Sequence, residues 1–124
     1  MASKLTVSHP KRGEIYLVSF DPTVGTEIQK TRPALVLQNN VSNEYSPITI
    51  VAAISSKFNE TLYPTEVLIQ PPEGGMTVNS VLLLNQIRSI DKQRLVRKLG
   101  ELTFASMERV NESIQVSLGL IEIE

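Results

Sequence analysis

The stretch RGEIYLVSFDPTVGTEIQKTRPALVLQNN, residues 12–40, decides the fold because it joins two apolar segments through one long polar connection. Alternating apolar side chains predict a first strand over residues 14–20, and a nearly continuous apolar run predicts a second over residues 34–38. The connection, residues 21–33, contains Asp-Pro, a glycine and one arginine beside a proline. Loops of this length in small domains are usually functional or disordered, and two firm flanking strands favour a functional loop.

The chain beyond this stretch predicts three more strands. Residues 48–55, ITIVAAIS, form a short β-branched apolar run of the kind found in strands buried on both faces. Residues 65–70 alternate between apolar and polar side chains, and residues 80–87 contain another apolar run, so both predict strands. Residues 39–46 and 56–64 are polar and predict loops.

The last third of the chain predicts two helices. Ser89 or Asp91 can cap a short helix, because either side chain can accept hydrogen bonds from free backbone N–H groups, and Gly100 would end it. Thr103 can cap a longer helix with apolar side chains at three- and four-residue steps. The inner face of the short helix would be Leu95, Val96 and Leu99, and that of the long one Phe104, Met107, Val110, Ile114 and Leu118. Consecutive strands followed by helices suggest an antiparallel sheet curled into a small barrel.

The length of 124 residues predicts one domain, large enough to bury about two thirds of its unfolded surface. We expect a flexible polar tail over residues 1–11 and a single domain over residues 12–124. The chain has no cysteine, which fits the reducing cytoplasm, and no stretch approaches the roughly 20 apolar residues of a membrane span. No apolar run near the N-terminus is long enough for a signal peptide. We therefore expect a cytoplasmic protein without a membrane partner.

The charges are unevenly distributed, although the formal net charge of −1 argues against a general nucleic-acid coat protein. Residues 88–98 carry five basic side chains against one acidic one. Residues 100–124 carry five acidic side chains against one basic one. Such clusters are more often two solvated faces than a binding site, so charge alone favours the simpler interpretation.

The residue types disfavour several kinds of catalytic site. His9 is the only histidine and lies in the expected tail, which argues against a zinc site, a pair of catalytic histidines and a Ser-His-Asp triad. The two aspartates, Asp21 and Asp91, are far apart in the chain, so a scattered carboxylate site for magnesium stays open but has no support. The sequence contains no glycine-rich phosphate loop and no dinucleotide fingerprint. We therefore predict no metal and no cofactor, and chemistry based on arginine and hydroxyl groups.

Several separated motifs occur in the order that is typical of one protein family. They are Gly-Glu-Ile-Tyr at residues 13–16, Asp-Pro-Thr-Val-Gly-Thr-Glu at 21–27, Thr-Arg-Pro-Ala-Leu-Val at 31–36, Ile-Val-Ala-Ala-Ile-Ser at 50–55, and Ser-Val-Leu-Leu-Leu-Asn-Gln-Ile-Arg-Ser-Ile-Asp at 80–91. Together they resemble the PemK/MazF-type toxins, small endoribonucleases of bacterial type II toxin–antitoxin pairs. The resemblance covers about residues 11–121, and it is specific because several motifs occur in the right order.

The resemblance implies a fold and a function. The fold would be an SH3-like small antiparallel β-barrel of the CcdB/MazF superfamily, with a C-terminal helix packed on it, assembled as a homodimer. The function would be that of a toxin: a sequence-specific, ribosome-independent, metal-independent endoribonuclease, or mRNA interferase, that cleaves single-stranded mRNA. Cleavage would inhibit translation and arrest growth. The implied partners are single-stranded RNA and a cognate MazE-like antitoxin, whose disordered segment would lie across the RNA groove.

Arg32 and Ser55 are the residues that the resemblance places in catalysis. From position alone, Arg32 is better explained as a surface arginine paired with Glu27 or another carboxylate, but an arginine before the proline of this motif is the family's catalytic residue. Ser55 ends the most apolar strand, where its hydroxyl could satisfy the strand end or bind a phosphate oxygen. The family usually has threonine or serine there, acting with the arginine. Glu27 is a candidate general base, or it positions Arg32.

The implied reaction begins when the ribose 2′-OH attacks the adjacent phosphate, and it yields a 2′,3′-cyclic phosphate and a 5′-OH. Negative charge gathers on the phosphate oxygens in the transition state, where a fixed arginine and a hydroxyl can stabilise it. Because the pKa of a guanidinium exceeds about 12, arginine is a poor general base. We therefore assign Arg32 to charge stabilisation and leave open whether it also protonates the leaving 5′ oxygen.

A second set of residues is predicted to bind RNA. The amides of Asn85 and Gln86, at the end of the last predicted strand, could read base edges of single-stranded RNA, with strand-end hydrogen bonding as an equal alternative. Phe58 could stack on a base, although packing within its loop is the simpler role. Some family members have a catalytic arginine and aspartate where Leu83 and Asn85 stand here, so that version of the mechanism is not expected. The full RNA-binding set is Thr26, Lys30, Ser56, Lys57, Phe58, Asn85 and Gln86.

Two other functions remain as alternatives. A CcdB-like barrel would poison a topoisomerase and cut nothing, which the presence of both Arg32 and Ser55 argues against. A barrel that binds RNA or DNA without catalysis would keep its binding when Arg32 is lost and would leave no cyclic-phosphate ends. Digestion of RNA in vitro separates the first alternative from an endoribonuclease, and the chemistry of the product ends separates the second.

Overall fold

The computed structural model describes residues 9–20 and 31–122. Within these ranges the chain forms six β-strands, two α-helices and two 3₁₀ turns. The strands are β1 (Glu14–Ser19), β2 (Thr31–Val36), β3 (Ile48–Ser55), β4 (Glu66–Ile69), β5 (Ser80–Asp91) and β6 (Leu95–Glu101), and the helices are α1 (Asn40–Tyr45) and α2 (Phe104–Ser117). The 3₁₀ turns are Glu73–Gly75, before β5, and Lys92–Arg94, before β6. No helix among these residues is long and apolar enough to cross a membrane.

The strands form one antiparallel sheet in the order β4–β5–β3–β2–β1–β6. β6 returns to pair with β1, and α2 packs against β4 and β5. The mostly β class with a C-terminal helix, predicted from the sequence, is confirmed. In the described part of the chain the sheet is open, with β4 and β6 as its edges, so the SH3-like barrel stays an implication of the resemblance.

Apolar side chains are buried on both faces of the sheet, because successive residues of a strand point to opposite faces. One cluster lies under α2 and includes Ile15, Leu35, Ala52, Leu82 and Val110. A second cluster, on the other face, contains Val18, Ala34, Val36, Val51 and Ile90, partly covered by Tyr16, Phe20 and Leu95. The neighbours Val51 and Ala52 of β3 enter different clusters, so β3 is buried on both faces, as its apolar run predicted.

Three glycines bring the turn after β4 against β6. A Cβ atom on Gly75, whose φ is +80°, would clash with the carbonyl oxygen of Leu99 in β6. A Cβ atom on Gly100 would lie 2.5 Å from the carbonyl carbon of Gly74. The backbone of the turn therefore packs directly on the backbone of β6, and this contact curls the sheet.

α2 begins where the sequence predicted, at the Thr103 cap. The Thr103 hydroxyl accepts a hydrogen bond from the backbone N–H of Ser106 at 3.1 Å. The backbone N–H and the hydroxyl of Thr103 both donate to Oε2 of Glu73, at 3.0 and 3.1 Å, which ties the helix to the 3₁₀ turn. The middle of the predicted apolar stripe packs on the core and its ends are exposed: Met107, Val110 and Ile114 are covered, whereas Phe104 and Leu118 are not.

The short helix predicted after β5 is wrong. β5 continues to Asp91 instead of ending at residue 87, and Asp91 caps only the 3₁₀ turn, where its carboxylate accepts from the backbone N–H of Gln93 at 2.8 Å. Residues 95–101 then form β6. The loop predicted over residues 39–46 also differs, because it contains α1, capped by the side chain of Asn39.

Two bulges in β6 explain the misleading helical spacing. Against β1, the paired residues of β6 jump from Leu95 to Arg97 and from Lys98 to Gly100. Val96 and Leu99 are therefore extra residues without a partner in the register, and each interrupts the alternation of side chains. The apolar positions consequently lose the period of two by which a strand is recognised.

Candidate functional site

A groove opens where β2 and β3 stop pairing. Their antiparallel register has its outermost pair at Ala34 and Ala53. Extending this register by two residues places Arg32 opposite Ser55, beyond the last pair. Pro33 occupies the intervening position and has no N–H group to donate to a ladder. Both strand ends are therefore available to line a groove instead of bonding to each other.

The groove has a volume of about 560 Å³, and its other walls are β6 and the segment that follows the 3₁₀ turn Glu73–Gly75. Apolar lining comes from Leu17, Ile54, Met76, Val78 and Leu99. Hydroxyl groups come from Ser55, Ser56, Thr77 and Ser80. A mixed lining of this kind can hold apolar bases beside polar contacts to a sugar–phosphate backbone.

Three cationic side chains line the groove, namely Arg32 in β2, Lys57 after β3 and Arg97 in β6. Among the described residues that line it, none is acidic. In the strand order β3–β2–β1–β6, Arg32 lies between the other two cations. Like charges that line one cleft attract an anionic chain, so the groove suits phosphates. Residues 9–20 and 31–122 contain no cluster of three or more His, Cys, Asp or Glu side chains that could hold a metal ion.

Arg32 is half-buried and is the second residue of β2, which begins at Thr31 and not at residue 34 as predicted. It therefore lies in a strand and not at the end of a loop. Its backbone pairs with Val18 of β1, which is fully buried, so the position of Arg32 is fixed by the core. The ion pairs among the described residues involve Lys98 and not Arg32. The alternative pairing with Glu27 lies outside the described residues.

Ser55 both ends β3 and lines the groove. Its Oγ accepts a hydrogen bond from the backbone N–H of Lys57 at 3.1 Å, and its O–H donates to the carbonyl oxygen of the same residue at 3.2 Å. This local turn carries Lys57 into the lining. A hydroxyl has one donor and two acceptor sites, so its O–H can turn from the Lys57 carbonyl to a phosphate while the N–H bond persists. The two roles considered for Ser55 are therefore compatible.

Comparison with known proteins decides the family. A family model described as "PemK-like, MazF-like toxin of type II toxin-antitoxin system" matches residues 11–118. The chain belongs to this family. Endoribonuclease EndoA of Bacillus subtilis (strain 168) is 45% identical over 112 residues, which cover 90% of this chain and 97% of that protein. Endoribonuclease MazF of Staphylococcus saprophyticus is 43% identical over 110 residues, which cover 89% of this chain and 92% of that protein.

Solved structures of MazF proteins share the fold. A MazE–MazF complex (Form-II) from Deinococcus radiodurans matches with a TM-score of 0.77 at 26% identity, covering 93% of this chain and 100% of that chain. MazF (Form-I) from the same organism matches with a TM-score of 0.74 at 26% identity, covering 91% and 99%. The resemblance inferred from the sequence motifs is thereby confirmed.

The residues predicted from the PemK/MazF resemblance to bind RNA are only partly brought together. Ser56 and Lys57 follow Ser55 and line the groove with it. Phe58, which is 38% exposed, is not part of the lining. Three predicted site residues lie outside the described residues: Thr26, Glu27 and Lys30.

Asn85 and Gln86 were predicted to end the last strand, but they lie in a bulge inside β5. Between Leu82 and Ile87 the register of β5 advances by five residues while β3 advances by two. The intervening residues bulge from the ladder, and both amides are exposed and outside the lining of the groove. Contacts of these amides with RNA would therefore lie beyond the groove.

Arg97 is the cationic lining residue that the sequence did not reveal, because residues 88–98 were interpreted as a solvated basic face and Arg97 fell within the predicted short helix. The basic residues of segment 88–98 do not share one element, because they lie in β5, in the following 3₁₀ turn and in β6. The other basic residues of this segment have local partners: Arg88 lies 5.0 Å above the ring of Phe20, Lys92 and Arg94 donate to the carbonyl oxygens of Asn43 and Ser19, and Lys98 pairs with Glu14 and Glu101. The bulges at Val96 and Leu99 hide the alternation of β6, so no local signal in the sequence indicated this strand.

Two ionisable groups on and beside β1 have structural roles. Arg12 donates from Nε to the carbonyl oxygen of Leu37 at 2.8 Å and from a terminal nitrogen to Oδ1 of Asn111 at 2.7 Å, and burial lowers its pKa. Burial and the neighbouring Glu14 carboxylate raise the pKa of Tyr16 to about 12. Neither group lines the groove, so neither is a candidate for its acid–base chemistry.

Proposed function

We propose that this PemK/MazF-family chain is a toxin that acts as a sequence-specific, ribosome-independent endoribonuclease on single-stranded mRNA and so inhibits translation and growth. The observation that carries the proposal is that Arg32 and Ser55 line one cationic groove, in a chain 45% identical to an endoribonuclease. An anionic, flexible substrate fits the three lining cations and the apolar lining beside them.

The proposed reaction needs only groups that the chain supplies. The ribose 2′-OH attacks the adjacent phosphorus, the bond to the 5′ oxygen breaks, and a 2′,3′-cyclic phosphate and a 5′-OH result. Arg32 forks onto the phosphate oxygens that gain charge in the transition state, and Ser55 donates from its hydroxyl. Each fixed donor of this kind contributes about 3 kcal/mol in comparable sites. We therefore propose a metal-independent mechanism.

Two proton transfers complete the reaction. Glu27 is proposed as the general base that takes the 2′-OH proton or as the group that positions Arg32, and the leaving 5′ oxygen takes a proton from Arg32 or from water. Thr26 and Lys30 are proposed as contacts to the RNA backbone. Ser56 and Lys57 are proposed as further backbone contacts because they line the groove. Phe58, Asn85 and Gln86 would meet bases outside the groove.

We also propose that the chain forms a homodimer and is inhibited by a MazE-like antitoxin. The fold matches MazF in a MazE–MazF complex. Two copies would double the few cations that hold RNA, and an acidic, apolar segment of the antitoxin could occupy the same groove. Residues 12–124 would act as one domain, and the site of action would be the cytoplasm, where mRNA is translated.

The proposal is tested by digesting a long mRNA transcript with the purified chain in excess EDTA and mapping the product ends. We expect cuts at one short sequence, with 2′,3′-cyclic phosphate and 5′-OH ends. A 2′-deoxy substitution at the cut nucleotide should block the reaction because it removes the nucleophile. Inhibition by EDTA, or cleavage of the deoxy substrate, would indicate a metal-activated water, and an uncut transcript would contradict the proposal.

A further inference from the structure

We infer that Arg97 binds a phosphate adjacent to the scissile one and thereby fixes the path of the RNA strand across the groove. The inference rests on the proposed function, because it assigns a further substrate contact in the same groove. Arg97 is exposed on β6 and lines the groove. It pairs with Leu17 of β1, and Leu17 in turn pairs with Pro33, the neighbour of Arg32.

A bulge places Arg97 at the groove. Directly opposed residues of antiparallel strands share a face of the sheet, so Arg97, Leu17 and Pro33 point to one side. Arg32 pairs with Val18 and alternates to the other side, and it lines the same groove where β2 and β3 are no longer paired. Leu95 pairs with Val18, and an unbroken ladder would next have placed Val96 opposite Leu17. Because Val96 is an extra residue, the position at the groove is taken by an arginine instead of a valine. Bulges commonly redirect one side chain beside an active site.

The guanidinium of Arg97 makes no polar contact with the described residues. Its neighbours in the basic segment donate to backbone oxygens, stack on Phe20 or pair with carboxylates, whereas no hydrogen bond or ion pair of Arg97 is formed within residues 9–20 and 31–122. A permanently charged, planar donor in a groove whose described lining has no carboxylate is suited to a phosphate.

The strand order assigns the three cations to successive phosphates. Lys57 follows β3, Arg32 lies in β2, and Arg97 lies two strands further on in β6. An RNA strand that crosses the β-strands would meet Lys57, Arg32 and Arg97 in that order. With the scissile phosphate on Arg32, the other two cations hold phosphates on opposite sides of the cut. Such remote contacts are equal in the ground and transition states, so they act on binding and not on the chemical step.

The first test compares Arg97→Gln, Arg97→Lys and the control Lys11→Gln, which removes an equal charge from an exposed site away from the groove. The substrate is a short single-stranded RNA that spans the site cut by the wild type. For Arg97→Gln we expect KM to rise about tenfold at low salt, and the slope of log KM against log salt to fall by about 0.7. Its kcat should stay within about twofold of the wild type, and Arg97→Lys should restore most of the salt slope. Equal kinetics for Arg97→Gln and Lys11→Gln, or a lower kcat at unchanged KM, would overturn the inference.

The second test replaces single phosphates of this RNA with neutral methylphosphonates. Neutralising one of these phosphates should weaken RNA binding by the wild type but not by Arg97→Gln, because the charge that this phosphate contacts is already absent in the variant. Binding by Lys57→Gln should be insensitive to neutralisation of a different phosphate, on the other side of the cut. The assignment is wrong if every methylphosphonate weakens Arg97→Gln and the wild type equally. It is also wrong if Arg97→Gln and Lys57→Gln are insensitive at the same phosphate. A wild type that leaves RNA uncut would instead refute the proposed function, so the two failures are distinguishable.

Discussion

Arg32 in β2 and Ser55 in β3 line the same groove from neighbouring antiparallel strands, at positions that oppose each other just beyond the last pair of the ladder. Both residues belong to strands with buried inner residues, so the core anchors both strands. In the proposed reaction, donors fixed in this way would need no reorganisation as charge develops on a phosphate, which favours electrostatic catalysis. The proposed phosphate would lie where the two strand ends separate at Pro33.

Replacing Ser55 tests the hydroxyl of this pair. We expect Ser55→Ala to lower kcat by about 10- to 1000-fold, because one transition-state donor is lost, and Ser55→Thr to retain activity, because the donor remains. The turn that Ser55 forms with Lys57 is also lost in Ser55→Ala, and that loss should appear in KM. Single-turnover kinetics of both variants separate the two effects. A Ser55→Ala protein with the kcat of the wild type would show that Ser55 only ends the strand.

Replacing Gly100 tests the contact that curls the sheet. A Cβ at this position would lie 2.5 Å from the backbone of Gly74, so Gly100→Ala must displace the turn or β6. We expect a loss of about 1–3 kcal/mol in the free energy of unfolding, measured with urea, and weaker RNA cleavage because β6 is a wall of the groove. The control Ser89→Ala, at an exposed site of β5, should change stability by less than about 0.5 kcal/mol. Equal stabilities of the two variants would show that the contact is not tight.

Local signals in the sequence explain why much of the fold was predictable. β3 was predicted with its observed bounds from an unbroken β-branched run, and α2 from the Thr103 cap and an apolar stripe centred on Val110. α1 was missed because six residues rich in Asn and Ser are too short to show an apolar period, and its cap at Asn39 resembles a turn. The start of β2 was missed because Pro33 is a typical strand breaker, tolerated here where no pair with β3 forms.

The site was predictable only where the family motifs cover it. Position alone favoured an ion pair for Arg32, and the motif around Pro33 reversed that choice. Arg97 lies in β6, whose bulges at Val96 and Leu99 produce helix-like spacing, so its strand and its place in the groove depend on long-range pairing with β1. Such long-range pairing cannot be read from the local sequence pattern of β6.

Glu73 makes stability depend on pH. Its carboxylate is partly buried, which raises its pKa, but hydrogen bonds from Ser106 and Thr103 and the charge of Arg109 outweigh burial and lower the pKa overall. A pKa that is lower in the folded than in the unfolded state contributes stability above the unfolded pKa. That contribution is lost as the pH falls through the folded pKa.

We therefore expect wild type to be more stable than Glu73→Gln at pH 7, with a difference that shrinks below about pH 5. Urea unfolding at a series of pH values measures it. The control Glu108→Gln, at an exposed position of α2, should show no such convergence. A difference between wild type and Glu73→Gln that stays constant down to about pH 3 would exclude this linkage.

Assembly is tested by light scattering of the purified chain at micromolar concentration. We expect a mass near twice the 13.8 kDa of one chain, and a larger complex without cleavage activity when a MazE-like antitoxin is added. The reason is that acidic side chains of the antitoxin would meet the same cations that hold phosphate. A strict monomer, or an antitoxin complex that cleaves RNA at the full rate, would be incompatible with this assembly.

The most direct measurement of the central claim is the rate of RNA cleavage by Arg32→Ala, compared with wild type and with the control Lys11→Ala, an exposed cation outside the groove. Arg32 lies near the start of β2 and outside both apolar clusters, so its truncation should leave the fold intact. We predict that Arg32→Ala loses at least about 100- to 1000-fold in kcat and that Lys11→Ala cleaves like the wild type. A folded Arg32→Ala protein that cleaves RNA at the wild-type rate would contradict the account.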